Sequence, residues 1–165
     1  MSFLKIKAFF KELIITLLLF ALISFGVNYL RAPDLSLQPR SMHLELIDGQ
    51  EIDLFSDTKP TVIHFWGKWC PVCRLEAPNI EAIKDQVHLV TIAVKSGSDA
   101  EIQAFMQEHG YDFPVYNDTK GSLAERFDIS VYPSTFIYDR NGTLRFTEVG
   151  YSTTFGLKAR IGLVK

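Results

Sequence analysis

Cysteine is scarce in this sequence: a chain of 165 residues contains only Cys70 and Cys73. A single pair three residues apart is not the disulfide framework of a small secreted domain, because so short a loop constrains little of the unfolded chain. Histidine is also sparse, and its four residues lack the spacing of metal ligands: His43, His64, His88 and His109. A zinc site would need two ligands beyond the cysteines. Cu(I), a soft ion that accepts few ligands, stays open as an alternative for two thiolates.

Positive charge is also limited, and its distribution divides the chain. Residues 1–31 carry four Lys or Arg against one acid, a net charge of +3, and the remaining residues carry 13 against 18, a net charge of −5. No basic patch is dense enough to suggest a nucleic-acid partner. The composition, 47% apolar and 22% charged, is that of one ordinary globular domain with a small appendage.

The appendage is a long uncharged run. Leu13 to Leu30 contains 18 residues without a charge, close to the roughly 20 that a helix needs to cross a bilayer core. We predict a transmembrane anchor over this run. Lys5, Lys7 and Lys11 precede it and only Arg31 follows at once, so the positive-inside tendency leaves the N-terminus in the cytoplasm.

A cleaved signal peptide is the alternative, since Ser24 and Gly26 are small residues with the spacing of a weak cleavage site. Either outcome exports the rest of the chain. We therefore expect a cytoplasmic N-terminus over residues 1–12, an anchor over 13–30, a linker over 31–41 and an exported domain over 42–165. The expected location is a bacterial inner membrane, crossed once, with the C-terminal domain in the periplasm.

The two cysteines lie at a predicted strand-to-helix junction. An apolar, β-rich run from Thr61 to Trp66 leads into them, and a helix-competent run from Pro71 to Asp85 leads out. Cys70 then stands at the start of the helix, where unpaired N–H groups and the helix dipole favour its thiolate. Cys73 lies one turn further on and can close a disulfide. This arrangement predicts thiol–disulfide exchange, with Cys70 as nucleophile and Cys73 as resolving thiol.

The remaining elements complete an α/β pattern. Asp48-Gly49 and Asn141-Gly142 indicate two hairpins, and Leu75, Ile80 and Ile83 are expected to form the core stripe of the CPVC helix. Further strands are expected at 89–94 and 113–116, and further helices at 98–109, 122–127 and 153–161. The element order predicts a mixed sheet with a parallel centre and helices on both faces.

These motifs resemble the thioredoxin fold. The resemblance is carried by FWGKWCPVC, by Pro78 and by the later VYPSTF, and it covers residues 42–163. An N-terminal hairpin and an inserted helix and strand, residues 99–116, are similar to the membrane-anchored, periplasm-facing branch of thiol-disulfide oxidoreductases. Within that branch, the chain most resembles the thioredoxin-like membrane proteins of bacterial suppressor-of-copper-sensitivity operons.

The resemblance implies substrate-binding roles. Pro133 is expected to follow a cis peptide bond beside the CxxC pair, with the backbone of Tyr132 offered to a bound substrate chain; a trans proline at a strand edge is the alternative. Trp66 is expected in the core and Trp69 at the rim of the active-site surface.

Three further residues are candidates for proton transfer or tuning. His64 occupies the slot where thioredoxins carry a buried aspartate, and its imidazole would take a proton near pH 7; a packed, inert histidine is the alternative. Glu76 occupies a position that is acidic in the cytochrome c maturation thioredoxins, and is otherwise a solvated helix residue. Lys68 is a weaker candidate for lowering the thiolate pKa, because exposed charges interact little.

The function expected from this resemblance is reduction of disulfides in exported proteins, with a link to copper stress tolerance and with no cofactor. A membrane electron donor would then re-reduce the cysteine pair, and a monomer is expected. The alternatives are a disulfide-forming oxidase, a cytochrome c maturation reductase and a Cu(I)-binding module without turnover.

Overall fold

A computed structural model of the chain describes residues 10–20, 22–23, 26, 42–55 and 58–164. Residues 10–20 are helical. Among the described residues, no helix combines the length and the apolar character that a membrane crossing requires. The predicted anchor over 13–30 includes positions outside the described residues, and the predicted linker over 31–41 lies entirely outside them.

The described strands of the C-terminal part form two sheets. The predicted N-terminal hairpin is confirmed: β1 (His43–Glu45) pairs antiparallel with β2 (Glu51–Asp53). A second sheet contains five strands: β3 (Thr61–Trp66), β4 (His88–Val94), β5 (Val115–Asp118), β6 (Ser134–Tyr138) and β7 (Leu144–Val149). The hairpin is tied to this sheet because the Ile47 N–H donates to the Val115 carbonyl at 2.9 Å.

The five strands lie in the order β5-β4-β3-β6-β7. β3, β4 and β5 run parallel to one another, whereas β6 is antiparallel to both β3 and β7. The parallel strands therefore make up one side of the sheet, and the central strand β3 has one neighbour of each kind. The expected mixed sheet is present, but its centre is not purely parallel, because β6 returns to β3 through an antiparallel pairing.

Four α-helices accompany the sheet: α1 (Pro71–Glu81), α2 (Asp99–His109), α3 (Ser122–Arg126) and α4 (Thr154–Leu163). α2 begins at a capping box between Ser98 and Glu101 and ends at Gly110, which has φ of 69°. α1 ends at Glu81, before the predicted Asp85. Beyond this end, the Ile83 N–H donates to the Ile80 carbonyl, a hydrogen bond between residues three positions apart. A 3₁₀ turn follows over Lys84–Gln86.

The sheet buries a core on each face, because successive side chains of β3 point to opposite faces. Val62 and Trp66 pack with α1, α2 and α4, while Ile63 and Phe65 pack with α3 and the N-terminal hairpin. Helices therefore cover both faces, as predicted.

The expected core stripe of α1 was wrong at one position. Ile80 and Ile83 are fully buried, but Leu75 is 70% exposed. The buried face of α1 instead starts from Cys73 and continues through Glu76, Ala77 and Ile80, the spacing of one helical face. Leu75, two residues after Cys73, points away from this face.

Candidate functional site

Cys70 is the N-cap residue of α1. Its backbone is extended, with φ of −90° and ψ of 114°, and Pro71 occupies the first helical turn, where a missing N–H costs nothing. The Cys73 N–H donates to Cys70 Sγ at 3.2 Å. A sulfur atom thus takes the place of the side-chain oxygen that usually caps a helix, and negative charge on that sulfur is stabilised by the helix N-terminus.

The two sulfur atoms are free thiols in different surroundings. Cys70 is 5% exposed and Cys73 is 1% exposed. Burial, followed by hydrogen bonding to Cys70, raises the pKa of Cys73, so Cys73 remains a protonated thiol at neutral pH. The pair therefore presents one sulfur at the helix start and a second, less accessible sulfur behind it.

The Tyr132-Pro133 peptide bond is cis, as the resemblance implied. The carbonyl oxygen of Tyr132 lies 3.8 Å from Cys70 Sγ and accepts a hydrogen bond from the thiol. The Pro133 carbonyl accepts from the Gly150 N–H at 2.8 Å, which fixes this loop to the end of β7. Sequence-distant segments thus place a backbone acceptor directly beside the Cys70 sulfur.

Trp69 forms the exposed rim of the site. Its side chain is 54% exposed, its ring centroid lies 5.3 Å from that of Tyr132, and its Nε1–H donates to the Val94 carbonyl at 2.9 Å. A Cβ atom at Gly67 would lie 2.6 Å from the indole, so glycine is needed there for this placement. Trp66, in contrast, is 2% exposed and belongs to the core.

Glu76 is a fully buried carboxyl group on the Cys73 face of α1. Its Oε1 accepts the Ser152 N–H at 3.1 Å, whereas Oε2 has no hydrogen-bond partner among the described residues. Burial raises the pKa of Glu76 to about 8, and when Glu76 is ionised its charge raises the pKa of Cys73 further. A protonated acid at neutral pH therefore lies close to the buried thiol, in place of a solvated helix residue.

His64 lies on the same face of β3 as Val62 and Trp66, and it is 2% exposed. Its Nδ1 is 2.9 Å from Thr135 Oγ1 on the paired strand β6. Burial lowers the pKa of His64 to about 3. The cause is desolvation of the charged ring, which favours the packed alternative over uptake of a proton near pH 7.

Lys68 lies two residues before Cys70, but its ammonium group contacts an acid on α2. Its Nζ lies 3.5 Å from Glu101 Oε1 on α2, and its backbone N–H donates to Ser96 Oγ at 3.0 Å. The ammonium is thus paired with an acid, which weakens the case for Lys68 as a residue that tunes Cys70.

Residues 30–147, which include the cysteine pair and the Tyr132-Pro133 bond, match the AhpC/TSA family. The chain belongs to the AhpC/TSA family. A thioredoxin-like protein of Haemophilus influenzae is 31% identical to it over 160 residues, which are 95% of each chain. The thiol-disulfide oxidoreductase ResA of Bacillus subtilis is 31% identical over 129 residues, 74% of this chain and 71% of ResA.

Among solved structures, StoA from Bacillus subtilis superposes with a TM-score of 0.67 at 27% identity, covering 74% of this chain and 97% of StoA. The fold of this AhpC/TSA family member is therefore thioredoxin-like, and the chain is a thioredoxin-like thiol-disulfide oxidoreductase that acts on proteins with disulfides. These comparisons carry no support for the link to copper-sensitivity operons.

Sequence reasoning missed several residues of this family member's site. Asn79, one turn after Leu75, donates to Tyr151 Oη at 3.1 Å and to the Ser152 carbonyl at 2.9 Å, so it holds the segment that contacts Glu76. No sequence pattern marks these contacts, because they join residues more than 70 positions apart.

Metal binding was an open alternative. Within residues 42–55 and 58–164, no group of three or more His, Cys, Asp or Glu side chains is arranged to hold a metal ion.

Proposed function

We propose that this protein is a membrane-tethered, periplasmic reductase of disulfides in exported proteins, with Cys70 and Cys73 as its redox pair. The observation that carries the proposal is the hydrogen bond from the Cys73 N–H to Cys70 Sγ, 3.2 Å long, at the N-terminus of α1. This contact stabilises a thiolate, and the thiolate is the nucleophile of disulfide exchange.

Catalysis begins when the Cys70 thiolate attacks one sulfur of the substrate disulfide. The substrate S–S bond breaks, its electron pair leaves with the second substrate sulfur, and that sulfur takes a proton from solvent. Cys70 and the substrate are then joined by a mixed disulfide. The Tyr132 carbonyl, 3.8 Å from Cys70 Sγ, and the exposed indole of Trp69 hold the substrate chain in this intermediate.

The Cys73 thiol resolves the intermediate and must lose its proton to do so. Glu76 accepts that proton in its ionised form, which is about a tenth of the population at pH 7 for a pKa of about 8. The Cys73 sulfur then attacks the Cys70 sulfur, the Cys70–Cys73 disulfide forms, and the bond between Cys70 and the substrate breaks. The released substrate sulfur takes a proton from solvent, so the substrate leaves as a dithiol. Two electrons have passed to the substrate, and a membrane electron donor with a dithiol of its own returns them to the pair.

A polypeptide substrate is supported by the apolar surface around Cys70. Trp69, Val72 and Leu75, all close to Cys70 in the sequence, are 54%, 40% and 70% exposed. A partner protein would cover them when its disulfide approaches the Cys70 sulfur.

The tether is proposed from the sequence. The uncharged run over residues 13–30, with three lysines before it, anchors the chain in the inner membrane and leaves the domain in the periplasm. In intact cells, a membrane-impermeant maleimide that enters the periplasm should label reduced Cys70. Labelling only after cell lysis would refute this location.

Trapping tests the catalytic roles. Replacement Cys73→Ala in the full chain should leave substrate proteins covalently attached to Cys70, and Cys70→Ala, the matched control, should trap none. Equal yields from both variants would refute the assignment of nucleophile and resolving thiol. A trapped cytochrome apoprotein would direct the proposal to cytochrome c maturation, and a partner in copper handling would support the copper link.

The reduction potential tests the direction of electron flow. We expect a value near the roughly −270 mV of thioredoxin, together with reduction of insulin; a value near −120 mV would instead indicate an oxidant of folding proteins. Tight Cu(I) binding by the reduced chain without any turnover would replace the enzyme proposal with a metal-binding module. Size-exclusion chromatography with light scattering should show a monomer.

A further inference from the structure

A groove of about 430 Å³ lies beside the Tyr132-Pro133 loop. The end of β4, the helix α3 and the segment that leads to Pro133 contribute its lining. The lining residues are Val94, Lys95, Lys120, Gly121, Ala124, Glu125, Asp128, Ile129 and Tyr132. Apolar side chains thus form part of the surface, and four charged residues stand along it.

The groove is continuous with the surface around Cys70. Tyr132, which lines the groove, places its carbonyl 3.8 Å from Cys70 Sγ. Val94, also in the lining, accepts a hydrogen bond from the Trp69 indole at 2.9 Å, and this indole packs against the Tyr132 ring. A polypeptide joined to Cys70 and held along Tyr132 therefore passes the mouth of the groove.

Two lysines of the groove lining lie next to Gly121. The Lys95 side chain lies across Gly121, since a Cβ atom at Gly121 would be 2.8 Å from Lys95 Cε and 3.6 Å from Lys95 Nζ. Lys120 is the residue directly before Gly121. In the described part of the chain, neither lysine forms an ion pair with a carboxylate. Lys95 and Lys120 thus lie at one corner of the groove, beside Gly121, without an ion pair among the described residues.

The backbone holds Lys95 in this position. Lys95 has φ of 48°, and the only other non-glycine residue with positive φ in the described ranges is Asp128, at 51°, which lines the same groove. Side chains other than glycine adopt this conformation rarely. The Lys95 N–H donates to the Asp118 carbonyl at 3.0 Å, which anchors the turn that directs the side chain over Gly121.

The groove also contains two acids, Glu125 and Asp128, and the buried Asp118 carboxylate accepts the Ala124 N–H at 2.8 Å on its α3 side. Glu125 lies one helical turn beyond Gly121, with its N–H bonded to the Gly121 carbonyl at 2.9 Å, and Asp128 follows the end of α3. Neither acid forms an ion pair with Lys95 or Lys120 in the described part of the chain, so both ammonium groups can bind a ligand. A carboxylate is the ligand that complements this corner.

We propose that the groove is a specificity subsite, in which Lys95 and Lys120 bind a carboxylate side chain that flanks the target cysteine of the substrate polypeptide. This inference rests on the proposed reductase function and adds a preference among its substrates. Each exposed ion pair changes an equilibrium by roughly 1.5- to 5-fold, so the two lysines together should raise kcat/KM for an acidic substrate by about twofold or more at low salt.

The test compares two disulfide-linked peptide dimers that are identical except for Glu or Gln on both sides of the cysteine. The reduced full chain is assayed with each dimer, and kcat/KM for the Glu dimer is divided by kcat/KM for the Gln dimer. This ratio is then divided by the ratio of the rate constants with which dithiothreitol reduces the same two dimers. The second division removes the effect of the charge on the reactivity of the disulfide itself. The proteins compared are wild type, the double variant Lys95→Gln/Lys120→Gln, and Lys158→Gln. Lys158 is an exposed lysine on α4 that is not part of the groove, so its variant controls for net charge.

We expect a normalised ratio of about two or more for wild type and for Lys158→Gln at low ionic strength, and a ratio near one for the double variant. At about 1 M salt, where the screening length is about 3 Å, the wild-type ratio should approach one. The reversal Lys95→Glu/Lys120→Glu should prefer a dimer with Lys beside the cysteine, an inversion that a misfolded protein cannot produce.

A wild-type ratio near one at low salt, or an unchanged preference in both double variants, would overturn the subsite. An uncharged small disulfide, 2-hydroxyethyl disulfide, separates this failure from a failure of the proposed function. If wild type does not reduce it, the reductase proposal fails; if wild type reduces it but shows no peptide preference, only the subsite fails.

Discussion

The buried carboxyl group of Glu76 should make the protein less stable as pH rises from neutral to mildly alkaline values. Burial raises the pKa of Glu76 from 4.5 to about 8 in the folded state. Between these two values the unfolded chain has released a proton that the folded chain still holds. The free energy of unfolding therefore falls as pH rises through this window, by about 1.4 kcal/mol per pH unit at most. Below pH 4.5 both states are protonated, and the effect is absent.

His64 changes the free energy of unfolding in the opposite direction and over a different pH range. Burial lowers its pKa from 6.5 to about 3, so the unfolded chain binds a proton that the folded chain lacks, and this group favours folding less as pH falls from 6.5 toward 3. Between pH 6.5 and 8, Glu76 thus changes the free energy of unfolding without a contribution from His64. Across that range Glu76 should lower the free energy of unfolding by about 1.5 to 2 kcal/mol, since the slope flattens as pH approaches the folded-state pKa.

The assay is urea unfolding of the reduced chain at several pH values, for wild type and Glu76→Gln. The glutamine keeps the shape of the side chain but does not ionise, so its stability advantage over wild type should grow by about 1.5 to 2 kcal/mol between pH 6.5 and 8. Replacement Glu108→Gln removes an exposed carboxylate from α2 and should not reproduce this growth. If the wild-type and Glu76→Gln values run parallel with pH, Glu76 is already ionised in the folded protein, and its role as a proton acceptor with a raised pKa is refuted.

Three further predictions concern the thiols and the helices. Because the pKa of Cys73 is raised and its sulfur is buried, iodoacetamide at about pH 8, close to the usual thiol pKa, should label Cys70 first; mass spectrometry that finds equal labelling would contradict the asymmetry of the pair. Replacement Ile80→Ala should lower the free energy of unfolding by about 2 to 5 kcal/mol and Leu75→Ala by less than about 0.5 kcal/mol, because only the Ile80 side chain is buried. Similar losses for the two variants in urea unfolding would show that Leu75 belongs to the core after all. Replacement Ser98→Ala should cost about 1 kcal/mol by removing the capping box of α2, and an unchanged unfolding midpoint would show that the cap is not used.

Local features of this protein were predictable from the sequence because neighbouring residues decide them. The hairpin at Asp48-Gly49, the strand Thr61–Trp66 and the cap of α2 at Ser98 all lie where turn, β-branched and capping residues indicated. The position of Cys70 at the start of α1 belongs to the same group. The cis bond at Tyr132-Pro133 was predictable only through the resemblance, since spacing alone does not distinguish cis from trans.

The chain's sequence by itself determined the CPVC pair, its place at a helix start and the order of strands and helices, because these depend on contacts within a few residues. Only the tertiary structure decided which face of α1 is buried, and with it that Glu76 is enclosed while Leu75 is exposed. It likewise decided that His64 stays neutral and that Lys95 lies across Gly121. Desolvation and charge proximity depend on which distant segments meet, and no local pattern specifies that meeting.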